Sequence, residues 1–179
     1  MKPFKYCPSC GSSVDEPTRV GEMTAAEETT CGACGHVWYR NPSPTAGAAI
    51  VRDGKVLLSV RGRDPYKGKI DVPGGFLNVG ETALEGLRRE IDEELGVEIE
   101  VAMSDCLQAE PHRYGDEGTW TIAFGFHARL VSGEPEPGDD VADLMWVEES
   151  ELDDLDFAWP HDRELARKAL RRDGSKGDV

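Results

Sequence analysis

Glu90, Glu93 and Glu94 lie at three- and four-residue steps, the spacing that brings side chains together on one face of a helix. Carboxylates so close repel one another, and beside an apolar surface their pKa values rise unless a cation neutralises them. A hard divalent ion taken through oxygen, Mg²⁺ or Mn²⁺, is the natural partner, which makes the three glutamates candidate ligands of a catalytic metal. Before them stands Pro73-Gly74-Gly75-Phe76. The double glycine lets the backbone approach a ligand closely, and a carbonyl of Gly74 or Gly75 could face the same ion.

A second chemistry sits near the N-terminus. Cys7-Pro-Ser-Cys10-Gly and Cys31-Gly-Ala-Cys34-Gly are two knuckles whose four thiolates can close a tetrahedral zinc site. Four sulfurs leave no position for water, so this Zn²⁺ is expected to be structural, in a ribbon too small to hold a core without it. His36 is read as a surface residue beside a filled shell, and Cys106 as a buried core thiol. Paired cysteines of this kind point to a reducing compartment rather than a disulfide framework.

These groups need elements to hold them. Thr82 followed by Glu85 is a capping box, so a helix begins at Ala83 and ends at Gly96, with Leu84, Leu87, Ile91 and Leu95 forming its apolar stripe. Asp53-Gly54 between two apolar runs predicts a hairpin of strands over residues 45–52 and 55–61. A polar loop at 61–68 leads to a short strand at 69–72, and further strands are expected at 97–101, 103–110 and 144–147. Residues 120–130 alternate, with Trp120, Ile122, Phe124, Phe126, Ala128 and Leu130 on one side, which predicts a core strand. An acidic loop spans 132–140, residues 148–155 suit a short helical turn, and Leu165, Ala166, Ala169 and Leu170 mark an amphipathic helix from Pro160. The expected organisation is a zinc ribbon at 1–40, a proline-stiffened linker at 41–44, the main domain at 45–172 and a disordered tail at 173–179.

With 179 residues and a net charge of −15, the chain is disfavoured as a partner of nucleic acid or anionic membrane, which need clustered Lys and Arg. No run of about 18 apolar residues and no apolar leader is seen, so a soluble cytoplasmic protein is expected. The ribbon is read as a stabilising or dimer-forming element, since Lys2, Lys5, Arg19 and Arg40 are offset by nearby acids.

Taken whole, residues 75–97 read Gly75-x5-Glu81-x7-Arg89-Glu90-Ile91-x-Glu93-Glu94-x-Gly96-Val97, and this stretch resembles the signature box of the Nudix hydrolases at every fixed position. The resemblance covers roughly residues 44–172 and implies an α/β fold, an α/β/α sandwich around a mixed sheet. It implies hydrolysis of a nucleoside diphosphate linked to another moiety, with Mg²⁺ or Mn²⁺ held by Glu90, Glu93 and Glu94. Arg89 would then orient a carboxylate and Glu81 would serve it or the metal shell, with Glu93 among the catalytic residues. The general base would be a box glutamate or a late-loop acid; of Glu134, Glu136, Asp139, Asp140 and Asp143, Asp140 is favoured. Candidate substrate contacts are Gly74, Gly75, Tyr66, His112, Arg113 and Tyr114.

Three substrate readings follow from the resemblance. A ribbon ahead of the box is similar to NADH pyrophosphatases, whose Ser-Gln-Pro-Trp-Pro-Phe-Pro array is missing from residues 107–114. Pro111, fourteen residues after Val97, falls near the marker proline of ADP-ribose pyrophosphatases and favours ADP-ribose or a related nucleotide sugar or dinucleotide. An RNA cap-removing enzyme and a non-catalytic nucleotide sensor, whose ribbon binds protein or nucleic acid, are the alternatives.

Overall fold

In a computed structural model the described residues are 5–14, 27–116 and 119–174. The first strands, β1 (Glu27–Thr30) and β2 (Val37–Arg40), form an antiparallel pair of their own. The Asp53-Gly54 turn then joins β3 (Ser43–Arg52) to β4 (Lys55–Arg61) in the expected hairpin, with Arg52 facing Lys55. Short strands β5 (Ile70–Asp71) and β6 (Gly74–Phe76) pair with β4 and β3 and lead to helix α1 (Ala83–Leu95). After it come β7 (Glu98–Glu100), β8 (Cys106–Arg113), β9 (Trp120–Ser132), β10 (Val141–Val147) and helix α2 (Pro160–Gly174).

The main sheet runs β10-β4-β3-β9-β7, with β8 also on β9. Only β3 and β9 pair in parallel among the described strands, from Ser43 opposite Thr121 to Ile50 opposite Ala128; every other pairing is antiparallel. Alternation along β3 and β4 divides the core. Ala48, Ile50 and Leu57 join Leu87, Ile91 and Leu95 of α1, while Ala49, Val51, Val56 and Leu58 join Leu165, Ala166 and Ala169 of α2. A helix on each face of a mixed sheet is the expected α/β/α sandwich.

Helix α1 forms as its sequence dictates. Thr82 Oγ1 accepts from the Glu85 amide at 3.3 Å, the Glu85 carboxylate accepts from the Thr82 amide at 2.9 Å, and Gly96 closes the helix at φ 63°. Leu87, Ile91 and Leu95 are fully buried, and each such side chain contributes about 1.5–3 kcal/mol of hydrophobic stabilisation.

The structure departs from the sequence reading at several places. Ser43 and Pro44, assigned to a linker, open β3; proline is tolerated at a strand start, and its carbonyl accepts from the Leu77 amide at 3.1 Å. Residues 103–105 form a 3₁₀ turn because the Asp105 carboxylate accepts from the Ala102 amide at 2.9 Å, so β8 begins at Cys106. Strand β9 is covered on both faces, which the one-sided alternation did not foresee: Phe126 and Ala128 meet the α1 side, while Gly125 lies against Leu165 of α2. Its first residue, Trp120, is 48% exposed and carries the Arg113 guanidinium over its ring. Asp173 and Gly174, placed in the tail by sequence, complete α2, and residues 175–179 lie outside the described ones. Cys106 is half-buried rather than buried, its thiol directed to the Gln108 carbonyl at 3.4 Å.

Candidate active site

The first turns of α1 and the loop before it are fastened by one guanidinium. Arg89 donates from Nε and Nη2 to the two oxygens of Glu81 at 2.7 and 2.9 Å, a two-bonded fork. Its Nη1 donates to Glu90 at 2.7 Å and Glu93 at 3.1 Å, and its Nη2 also reaches the Phe76 carbonyl at 3.1 Å. Glu81 accepts in addition from the Asn78 amide at 2.7 Å. The Arg89 bonds, with this amide, hold the Glu81 carboxyl down at about 2. The predicted orienting role of Arg89 thus has a geometric basis in the chain itself.

Glu94 lies deeper. It is 7% exposed and accepts from the Gly74 amide at 2.9 Å. Burial pushes its carboxyl up to about 9, with Asp140, Asp71 and Glu90 adding repulsion; burial also raises Glu90. A buried acid beside further acids is held ionised by a cation, and an all-oxygen set suits Mg²⁺ or Mn²⁺. A Cβ on Gly75 would displace the Glu90 carboxylate, while Gly74, at φ 146°, lies against the Ala46 carbonyl of the backbone. The glycine pair therefore makes room for the acid and for the neighbouring strand.

These groups line a cleft of about 320 Å³ between β3, β4, α1 and the start of α2. Its lining includes Glu90, Glu93, Glu94 and Asp140 together with Arg61, His112, Tyr114, Trp159 and His161. Asp139 also lines it and takes φ 42°, a left-handed angle that Asp tolerates, in the loop that delivers Asp140. Of the other acids weighed as base, Glu134 is turned to Arg52 at 3.2 Å, and Glu136 and Asp143 are not part of the lining.

The rest of the lining is polar and aromatic. Arg61 meets Asp71 at 2.5 Å, donates to the Pro65 carbonyl at 2.8 Å and Tyr114 Oη at 3.2 Å, and lies over the Trp159 ring at 4.9 Å. Asp162 hydrogen-bonds the Asp71 carboxyl, and burial raises both acids, Asp162 well above its ordinary range. One guanidinium faces two buried carboxylates, an arrangement that favours the neutral form of one of them, and Asp162 Oδ2 is buried without a hydrogen-bond partner among the described residues. His112 and His161 stand 4.4 Å apart, ring to ring. Burial lowers both, His161 to about 4, so their imidazoles are neutral at physiological pH. Tyr114 and Trp159 stack at 5.5 Å.

Among the predicted substrate residues, Gly74, Gly75, His112 and Tyr114 line the cleft, while Arg113 and Tyr66 do not. Alternation along β8 turns Arg113 away from its two neighbours and onto Trp120. Tyr66 donates to Asp116 at 2.7 Å and meets the Trp159 ring edge-on. Sequence reasoning missed Arg61, Arg63, Asp71, Gln108, Trp159, His161 and Asp162, all lining residues. No spacing joins positions so far apart; the one available signal was the run Trp159-Pro160-His161-Asp162 at a helix start.

At the N-terminal site, Sγ atoms of Cys7 and Cys34 stand 3.8 Å apart and those of Cys10 and Cys31 3.7 Å, with all four within 4.8 Å. Tetrahedral zinc–thiolate bonds of about 2.3 Å require sulfur separations of about 3.8 Å, so the cysteines fit a zinc ion. The knuckles repeat one pattern, Gly11 and Gly35 amides donating to the Cys7 and Cys31 carbonyls. His36 stacks on Trp38 at 5.9 Å and is exposed, as expected.

Comparison with known proteins gives a consistent result. The family model described as "NUDIX domain" matches residues 41–169. A Mycobacterium tuberculosis protein named "Putative 8-oxo-dGTP diphosphatase 2" is 39% identical over 138 residues, covering 73% of this chain and 91% of that one. The ADP-ribose pyrophosphatase of Methanocaldococcus jannaschii is 33% identical over 119 residues, 66% of this chain and 69% of that one. The NAD-capped RNA hydrolase NudC of Pseudomonas aeruginosa is 29% identical over 98% of this chain, which spans only 59% of that protein. A solved NUDIX hydrolase from Nitrosomonas europaea superposes with a TM-score of 0.73 over 96% of this chain and 93% of that one, at 24% identity, a likeness of fold. Among the described residues, no helix is long and apolar enough to cross a membrane.

Proposed function

The chain belongs to the Nudix hydrolase family, and on that premise we propose that it cleaves the pyrophosphate bond of a nucleoside diphosphate joined to another moiety. The substrate class is ADP-ribose or a related nucleotide sugar or dinucleotide, and the products are a nucleoside monophosphate and a phosphorylated remainder. The observation that carries this reading is one cleft lined by Glu90, Glu93, Glu94 and Asp140 together with Arg61 and the rings of His112, Tyr114 and His161.

Glu90, Glu93 and Glu94 would hold Mg²⁺ or Mn²⁺, with a Gly74 or Gly75 carbonyl. When bound, the ion supplies Lewis acidity at a phosphoryl oxygen and lowers the pKa of an attacking water. Arg89 keeps Glu81, Glu90 and Glu93 oriented through its bonds to all three. Asp140 is the candidate base and takes the water proton on a carboxylate oxygen. Tyr114, backed by the buried Trp159, offers aromatic surface to a nucleoside, and neutral His112 and His161 offer uncharged hydrogen bonds. Gly74 and Gly75 let the substrate's phosphates approach the backbone.

The domain organisation proposed is a zinc ribbon at 1–40 and a hydrolase domain at 45–172. Structural Zn²⁺ on Cys7, Cys10, Cys31 and Cys34 stabilises the ribbon, itself a stabilising or dimer-forming element. A second reading, removal of a nucleotide cap from RNA, draws on the NudC likeness that extends through the ribbon. The charge of −15 and the missing proline-rich array favour the first. A panel of ADP-ribose, NADH, 8-oxo-dGTP and NAD-capped RNA, with products identified, tests both. Release of AMP and ribose phosphate from ADP-ribose supports the first; turnover confined to capped RNA or to 8-oxo-dGTP refutes it.

A further inference from the structure

Two arginines line the cleft, and they are held in opposite ways. Arg61 is locked by Asp71, the Pro65 carbonyl and Tyr114 against the Trp159 ring. Arg63 has its Nε 2.5 Å from Asp140 Oδ2, no second side-chain partner among the described residues, and a side chain 63% exposed. It is thus the more exposed of the two cations of the cleft, held by a single carboxylate.

Its place there is fixed by backbone. The Gly62 amide donates to the Asp140 carbonyl at 2.7 Å, and a Cβ on Gly62 would stand 2.5 Å from that oxygen, so only glycine permits the approach. The Asp140 loop is in turn tied to the last turn of α1, by the Gly138 amide to Glu94 at 2.8 Å and the Glu136 amide to Leu95 at 3.1 Å. The arginine, the candidate base and the box acids therefore share one frame.

We propose that Arg63 is a phosphate ligand of the reaction and exchanges partners during it: in the free enzyme it neutralises Asp140, and with substrate bound it moves to the pyrophosphate. The inference rests on the hydrolase reading above. The pair is exposed on the Arg63 side but Asp140 is only 17% exposed, so leaving it has a cost that the phosphate must offset, and a guanidinium meets phosphate oxygens with two parallel bonds. The exchange couples binding to chemistry. Asp140, freed of its counter-ion as substrate arrives, becomes the acceptor for the proton of water.

The alternative is that Arg63 only screens the charge of Asp140, and the two differ in one variant background. Calorimetry with inorganic pyrophosphate and Mg²⁺ on the full chain compares wild type, Arg63→Ala, Asp140→Asn and the double variant. As a phosphate ligand, Arg63 is worth at least about tenfold in affinity even where Asp140 is already neutral. Equal affinity of Asp140→Asn and the double variant overturns the proposal, as does a wild type that binds no pyrophosphate. In turnover, Arg63→Ala should raise KM and Arg63→Lys should recover part of the loss. Wild-type turnover of the substrate panel tests the hydrolase reading independently, so an active wild type with an indifferent Arg63→Ala defeats this inference alone.

Discussion

Arg89 shows how single atoms decide the site. One guanidinium serves Glu81, Glu90, Glu93 and a backbone carbonyl, and only a planar fork can do so. Arg89→Lys keeps the charge but not the fork, and we expect steady-state kinetics to show a fall in kcat that the conservative charge fails to rescue. Glu81 gives a pH signature. Its folded pKa, about 2, lies below the ordinary 4.5, so it contributes stability above pH 4.5 that is lost as pH falls towards 2. Urea melts of wild type and Glu81→Gln should therefore differ by a constant amount above pH 4.5 and converge towards pH 2. A difference that grows on acidification would contradict the Arg89 pairing. The acids themselves were legible in the sequence because they sit within one helix. Arg61, Asp71 and Asp162 were not, because only the folded sheet brings β4, β5 and α2 together.

Helix α1 and its lead-in loop are where sequence and structure agree most fully, since the cap, the apolar stripe and the left-handed Gly96 are all local signals. Thr82→Ala removes the cap bond and should cost about 1 kcal/mol in chemical denaturation. Gly75→Ala separates site from fold: its Cβ collides with the Glu90 carboxylate, so metal-supported turnover should drop far more than thermal stability does. Strand β9 was harder to read. Its alternation marked one apolar face, but Gly125, His127 and Thr121 are buried on the other, small or paired residues that carry no hydrophobic period. On β8 the same period, applied to Arg113, would have excluded it from the cleft that His112 and Tyr114 line.

At the scale of the molecule, we propose that two metal chemistries are divided between two units. Soft thiolates gather near the N-terminus and hard carboxylates on α1, and ligand type alone distinguishes them. Chelating zinc should open residues 1–40 to limited proteolysis while Mg²⁺-dependent hydrolysis persists; loss of both together would refute the division. The sandwich was foreseeable from the box resemblance. The rest of the cleft lining was not, because Trp159 and His161 come from the start of α2 and the residue before it, a segment whose period speaks only of packing. The central claim is that the carboxylates of α1 support cleavage of a pyrophosphate bond. It is tested most directly by product analysis of ADP-ribose with Mg²⁺ for wild type and Glu94→Gln. Wild type should release AMP and ribose phosphate, and the variant, folded but short of a ligand, should be slower by orders of magnitude. No product from wild type, or equal rates from both, would contradict the account.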